Sequence, residues 1–218
     1  DETLKYIQNY IPIEIKKVKS GSKAFDWTVP PEWNIREGYI LNMSTGEKVI
    51  DFENHNLHVL GYSEPIDLIL DYEELIKKIY YLEDQPEAIP YVTSYYSKRW
   101  GFCMSFDQFK KLDKSSTYKV FIDSDFNDNG NLTYGELLIK GEVEEEIFFS
   151  SYICHPQMVN NELSGPAVLT GIAEFLKNKS NYYSYRFVLI PETIGSIVYL
   201  SKNLDFLKKN VIGGFNIT

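Results

Sequence analysis

Two cysteines, three histidines and no long apolar run are the first limits the sequence sets. Cys103 and Cys154 lie far apart and make no disulfide framework, so a reducing compartment, the cytoplasm, is the expected location. No stretch approaches the ~18 consecutive apolar residues that read as a membrane span. The opening DETLKYIQNY is polar and acidic, unlike a secretory signal. Basic residues are in deficit: 22 Lys and Arg against 31 Asp and Glu leave a formal charge of −9, which argues against nucleic-acid and anionic-membrane partners. No phosphate loop, G-x-S-x-G elbow or dinucleotide fingerprint is present. What remains is 44% apolar, 24% charged and 15% aromatic over 218 residues, an ordinary globular composition long enough for one large domain or two small ones.

Periodicity divides the chain. Residues 3–10 read as the end of a helix, broken at Pro12, and IEIKKVKS alternates like a strand. Ala24–Val29 and Tyr39–Met43 read as strands separated by the turn-rich PPEWN. Asp71 to Leu82 has Leu75, Ile76, Ile79 and Leu82 on one helical face, with acids first and lysines later. A short helix is expected near Phe106–Leu112. From about residue 116 strands and helices alternate: YKVFID, LTYGELLIKG, EIFFSSYI, a helix over 163–177, SYRFVLIP, a helix over Thr193–Lys202, and VIGGFNI. Continuous apolar strands between helices predict a parallel α/β sheet covered on both faces. The expected organisation is an α/β core from residues 1–20 and 116–218, with a mostly β domain over 21–115. The chain stops in a strand, as a piece of a longer protein would.

In an open α/β sheet, ligands gather at the carboxyl ends of the strands. His155 lies at such an end, and Glu162 follows at the mouth of the next helix, where an imidazole and a carboxylate can converge on one metal. The alternative for His155 is a side chain that only satisfies loop backbone, and Asn160 or Asn161 can be helix caps in a loop that starts at Pro156. Glu192 follows a second buried strand. It is either the general base of a metal-assisted hydrolysis or an acid stabilised by a helix N-terminus. Strand alternation predicts that the Cys154 and His155 side chains diverge, which disfavours a thiol nucleophile. Asp125, Asn127, Asn129, Gly130 and Glu136 match a calcium loop, but strands flank it where an EF-hand needs helices. His55 and His58 face opposite sides of a predicted strand, leaving His58 as a candidate to touch substrate.

SGSKAFDWTVPPEWNIREGYI, NLHVLGYSEP, IPYVTSYYSKRWGFC, LTYGELLIKG, ICHPQMVNNELSGPAV and YRFVLIPETIGSIVYL together resemble the bacterial aminopeptidase-like proteins described as a domain of unknown function. That resemblance covers nearly the whole chain. It implies a zinc-aminopeptidase-like α/β core with helices on both faces, an inserted β domain and a winged helix beyond Thr218, with more chain before Asp1. It further implies a zinc site using His155 and an acid at the helix mouth, with Glu192 as general base. Asn161 stands where relatives carry an aspartate, and an amide supplies no bridging charge, so Glu162 is expected to take that role. Thr193 replaces the second acid of the dinuclear enzymes, which favours one zinc ion, or none, over two. The implied partner is a peptide or amide substrate, and a homo-oligomer is compatible with it. Trp27, Trp33, Tyr95, Tyr96 and Trp100 either roof the cleft or form the inserted domain's core, the second being preferred. The rival reading is a catalytically silent binding module on the same fold.

Overall fold

A computed structural model of the chain describes residues 2–155 and 160–218; Pro156 lies outside the described residues. In chain order the elements are α1 (Glu2–Ile7), β1 (Glu14–Lys19), β2 (Lys23–Ala24), β3 (Trp27–Thr28), β4 (Glu32–Asn42), β5 (Lys48–Asp51) and β6 (Ile66–Asp71). Then come α2 (Tyr72–Ile76), β7 (Ile79–Tyr80), β8 (Phe102–Cys103), α3 (Phe106–Phe109) and β9 (Thr117–Asn127). The last are β10 (Asn131–Ile139), β11 (Glu146–Tyr152), α4 (Ser164–Leu176), β12 (Ser184–Ile190), α5 (Ile194–Asn210) and β13 (Val211–Asn216). No described helix is long and apolar enough to cross a membrane.

Two compact units result: Asp1–Glu32 with Asp128–Thr218, and Trp33–Asn127. Both boundaries fall later than the expected 21 and 115. The later one moves because β9 belongs to the second unit's sheet, ordered β5-β4-β9-β6, and the earlier one because β2 and β3 stay with the first unit. That sheet packs Ile40, Ile50, Tyr118, Val120 and Ile122 against Leu75, Phe102 and Met104. Of the five aromatics expected to form a core, only Trp100 packs against this one. Tyr95, Tyr96 and the first unit's Trp27 are exposed. The helix expected over Asp71–Leu82 stops at Ile76. Asp71 caps it through Glu74 N–H at 2.9 Å, but Ile79–Tyr80 then pairs with Phe102–Cys103 as strand, so tertiary pairing overrides helical spacing.

The first unit holds a five-stranded sheet ordered β1-β10-β12-β11-β13. It is mixed and not wholly parallel: β12, β11 and β13 run parallel, and β10 is antiparallel to both of its neighbours, β12 and β1. Helices cover both faces. Phe187 and Leu189 of β12 pack with Leu4 and Ile7 of α1 and Leu169 and Ala173 of α4. Val188 and Ile190 pack with Ile194, Val198 and Tyr199 of α5. Such two-sided burial is why β12 reads as an unbroken apolar run.

On the α5 side the sheet also buries an ionic cluster. The Arg186 guanidinium donates to Glu136 at 2.5 Å and to both Glu146 oxygens at 2.6 and 2.8 Å, and Tyr199 O–H donates to Glu136 at 2.6 Å. Lys16 also reaches Glu136. Burial alone would raise the Glu136 carboxyl, but these donors hold it below the usual range. At the other end of the calcium-loop motif, Asp125 is engaged by Arg36 and by Asn34 Nδ2 at 3.1 Å. Both acidic ends of that motif therefore have cationic partners, and strands flank it.

Candidate functional site

The register of β11 and β12 determines what meets at their ends. Tyr152 pairs with Ile190 on the parallel neighbour, and Ile153 N–H adds one more bond to the Ile190 carbonyl at 3.1 Å. Cys154–His155 and Glu192 then leave adjacent strands at the same level. Glu162 comes from the lead-in to α4, whose first turn packs directly on the strand ends. A Cβ at Gly165 would lie 2.3 Å from Ser151 Oγ and 2.4 Å from the Ile217 carbonyl oxygen, so only glycine permits that approach.

These residues form a continuous chain of contacts. His155 Nδ1 lies 2.5 Å from Glu162 Oε1, and Nε2 lies 3.2 Å from Glu192 Oε2. One imidazole is thus shared by two carboxylates. Cys154 N–H donates to Glu162 Oε2 at 2.5 Å, which fixes that carboxylate. Glu162 is 6% exposed and Glu192 is exposed, so the two acids differ in solvation as well as position. Asn161 is exposed, one residue before the buried acid.

The expected divergence of Cys154 and His155 does not occur. β11 ends at Tyr152, so strand alternation does not extend to these residues, and Cys154 Sγ sits 3.6 Å from His155 Nδ1. Sγ also lies 3.8 Å from Glu162 Oε1 and accepts the Glu192 N–H at 3.2 Å. Burial, with the Glu162 and Glu192 charges adding to it, pushes the thiol up to about 12, so at neutral pH it is protonated and a poor nucleophile.

Backbone strain flanks the site. Glu162 has φ 75°, and Thr193 has φ 57° and ψ −79°, a strained γ-turn that a β-branched residue rarely adopts. Thr193 makes no side-chain cap on α5. Its bend turns the chain directly from the end of β12 into the helix, leaving Glu192 at the strand end. Beside Glu192 lies a cavity of ≈ 270 Å³ lined by Ser151, Tyr152, Thr193, Ser196 and Asn216 among others. Ser151 Oγ is buried with no partner among the described residues.

The donor set suits a borderline divalent ion. One atom each from Cys154, His155 and Glu162 lie within 4.8 Å of one another, and sulfur, imidazole nitrogen and carboxylate oxygen are the ligand types zinc takes. His58 has separate partners in the second unit. It is 4% exposed, its Nδ1 meets the Cys103 carbonyl at 2.8 Å, and burial holds its pKa below the ordinary value. His55 caps a short turn by accepting the Leu57 N–H, so the expected strand there is a turn. Cys103 is buried, whereas Cys154 is exposed as a residue although its Sγ is enclosed by His155, Glu162 and the Glu192 N–H.

Comparison with known proteins matches residues 1–218 to the family described as Domain of unknown function (DUF4910). A Clostridium acetobutylicum protein, provisionally described as a polysaccharide biosynthesis protein with an aminopeptidase-like domain, is 49% identical over 212 residues. That match takes in 97% of this chain and 48% of the relative. The chain therefore spans about half the length of the curated relative it matches. A crystal structure from the same organism, provisionally described as a peptidase, superposes with a TM-score of 0.94 at 48% identity, covering 99% of this chain and 50% of that one. A zinc aminopeptidase from Bacillus subtilis superposes with a TM-score of 0.63 at 12% identity, covering 99% and 60%; at that identity it speaks for the fold alone.

Proposed function

Because this chain belongs to the DUF4910 family and has a zinc-aminopeptidase-like α/β fold, we propose that it carries the site of a metal-dependent hydrolase cleaving peptide or amide bonds. The observation that carries the reading is one imidazole shared by two carboxylates at the ends of adjacent parallel strands. His155 and Glu162 hold a single divalent ion, with zinc favoured by the donor types. When bound, that ion polarises the scissile carbonyl and acidifies a water molecule. Glu162 is pre-positioned for this by Cys154 N–H. Glu192 is the exposed acid: its carboxylate takes the proton of the attacking water and returns it to the leaving amine. The cavity beside it accepts the substrate, and Ser151 and Asn216 supply hydrogen-bonding groups there. Thr193, standing where a second acid would be, leaves this part of the site with one ligand fewer than a two-ion arrangement wants.

The test uses the full-length protein loaded with zinc and a panel of aminoacyl amides. Glu192→Gln retains the ion and lowers kcat by about 10²–10⁴-fold, the usual contribution of a positioned acid–base group. His155→Ala loses both ion and turnover. A wild-type protein that takes up zinc stoichiometrically but hydrolyses none of the panel favours the silent binding module.

A further inference from the structure

Three atoms face one another at the end of β11, and the reading above uses only two of them. We propose that Cys154 Sγ is the third protein ligand of the same ion, making a mixed sulfur–nitrogen–oxygen shell with His155 Nδ1 and Glu162 Oε1. This rests on the metal-hydrolase reading and goes beyond it by naming the ligand set and hence the class of metal.

The distances carry the argument. Zinc bonds of about 2.3 Å to sulfur and about 2.0–2.1 Å to nitrogen or oxygen, at tetrahedral angles, set sulfur about 3.5 Å from each of the other two donors. The observed Sγ separations are 3.6 Å to Nδ1 and 3.8 Å to Oε1. Only the Nδ1···Oε1 pair, at 2.5 Å, is closer than an ion requires; that is a direct hydrogen-bond distance, and an ion between the two atoms would part them. Orientation agrees. Glu162 Oε2 is occupied by Cys154 N–H, so Oε1 is the oxygen left for an ion. The Glu192 N–H points at Sγ from 3.2 Å, the outer-shell donor that a metal-bound thiolate favours. Charge agrees as well: ion binding displaces the Cys154 thiol proton to solvent, and the resulting thiolate and one carboxylate neutralise a divalent ion, with the imidazole neutral. Three protein ligands plus one open position is the composition of a catalytic zinc site. A thiolate in the shell selects zinc, cobalt or cadmium over magnesium, calcium or manganese. With Nδ1 on the ion, Nε2 remains to hydrogen-bond Glu192, which orients the base; the imidazole thus links ligand shell and base.

The experiment loads the full-length protein with Co(II) and records its absorption spectrum, with zinc K-edge X-ray absorption on the zinc form. The expected result is a sulfur-to-cobalt charge-transfer band in wild type and in Cys103→Ala, absent in Cys154→Ser. Zinc affinity of Cys154→Ser falls at least about 10-fold, the loss that even an outer-shell change brings. Because Cys154→Ser could disturb folding, its far-ultraviolet circular dichroism is recorded. The wild-type zinc spectrum needs no variant, and it should contain a sulfur neighbour at about 2.3 Å. Stoichiometric cobalt or zinc with no sulfur neighbour overturns the proposal while leaving the hydrolase reading intact. Failure to bind either metal overturns both.

Discussion

His155 gives one nitrogen to each of two carboxylates, so the ring ties Glu162 to Glu192. That coupling is held by two residues in costly backbone conformations, Glu162 and Thr193. Thr193→Gly should relieve strain of about 1–3 kcal/mol, less the entropy glycine adds to the unfolded chain, so thermal stability rises slightly or holds. The same change should lower hydrolysis, because the tight bend that presents Glu192 loosens. A thermal melt and a kcat measurement on the same preparation check both. His155 and Glu192 were legible in the sequence because each follows an apolar strand. Glu162 was legible as a position and not as a direction, since its aim depends on a positive φ that no local pattern announces. Cys154 was misread because alternation was carried past the end of β11.

At the scale of elements, β12 does most to assemble the site: it sets the level of Glu192, pairs with β11 and β10, and carries Arg186. Arg186→Met should destabilise the first unit by about 3–5 kcal/mol, since Glu136 and Glu146 would stay buried with their shared cation removed. Urea unfolding followed by circular dichroism measures this. A cost under 1 kcal/mol would mean that Lys16 and Tyr199 suffice. The alternation of strands and helices after residue 116 was readable from the apolar runs. The antiparallel placement of β10 was not, because a strand buried on both faces looks alike in either direction. Nor was the short α2, where four apolar positions at helical spacing became two in helix and one in strand.

At the scale of the molecule, two units with separate cores should unfold with separable transitions. His58 gives the second unit a pH dependence. Burial keeps the folded ring neutral below the ordinary value of 6.5, while the unfolded ring protonates there. The unfolded state then binds the extra proton, so stability of that unit falls as pH drops below about 6.5, by up to about 1.4 kcal/mol per pH unit until the folded pKa is passed. A His58→Gln variant should have a flatter profile over pH 7.5 to 5.5 in thermal melts. The division itself was legible as a change of texture, but its boundaries were not, since β9 reads like the strands that follow and pairs with those that precede it.

Central to the account is an ion held by His155. The most direct measurement is the zinc content of full-length protein purified without chelator, wild type beside His155→Ala, by mass spectrometry of the metal. The account predicts stoichiometric zinc in wild type and a clear loss in the folded variant. Equal zinc in the two, or none in the wild type even after zinc is added, would contradict it.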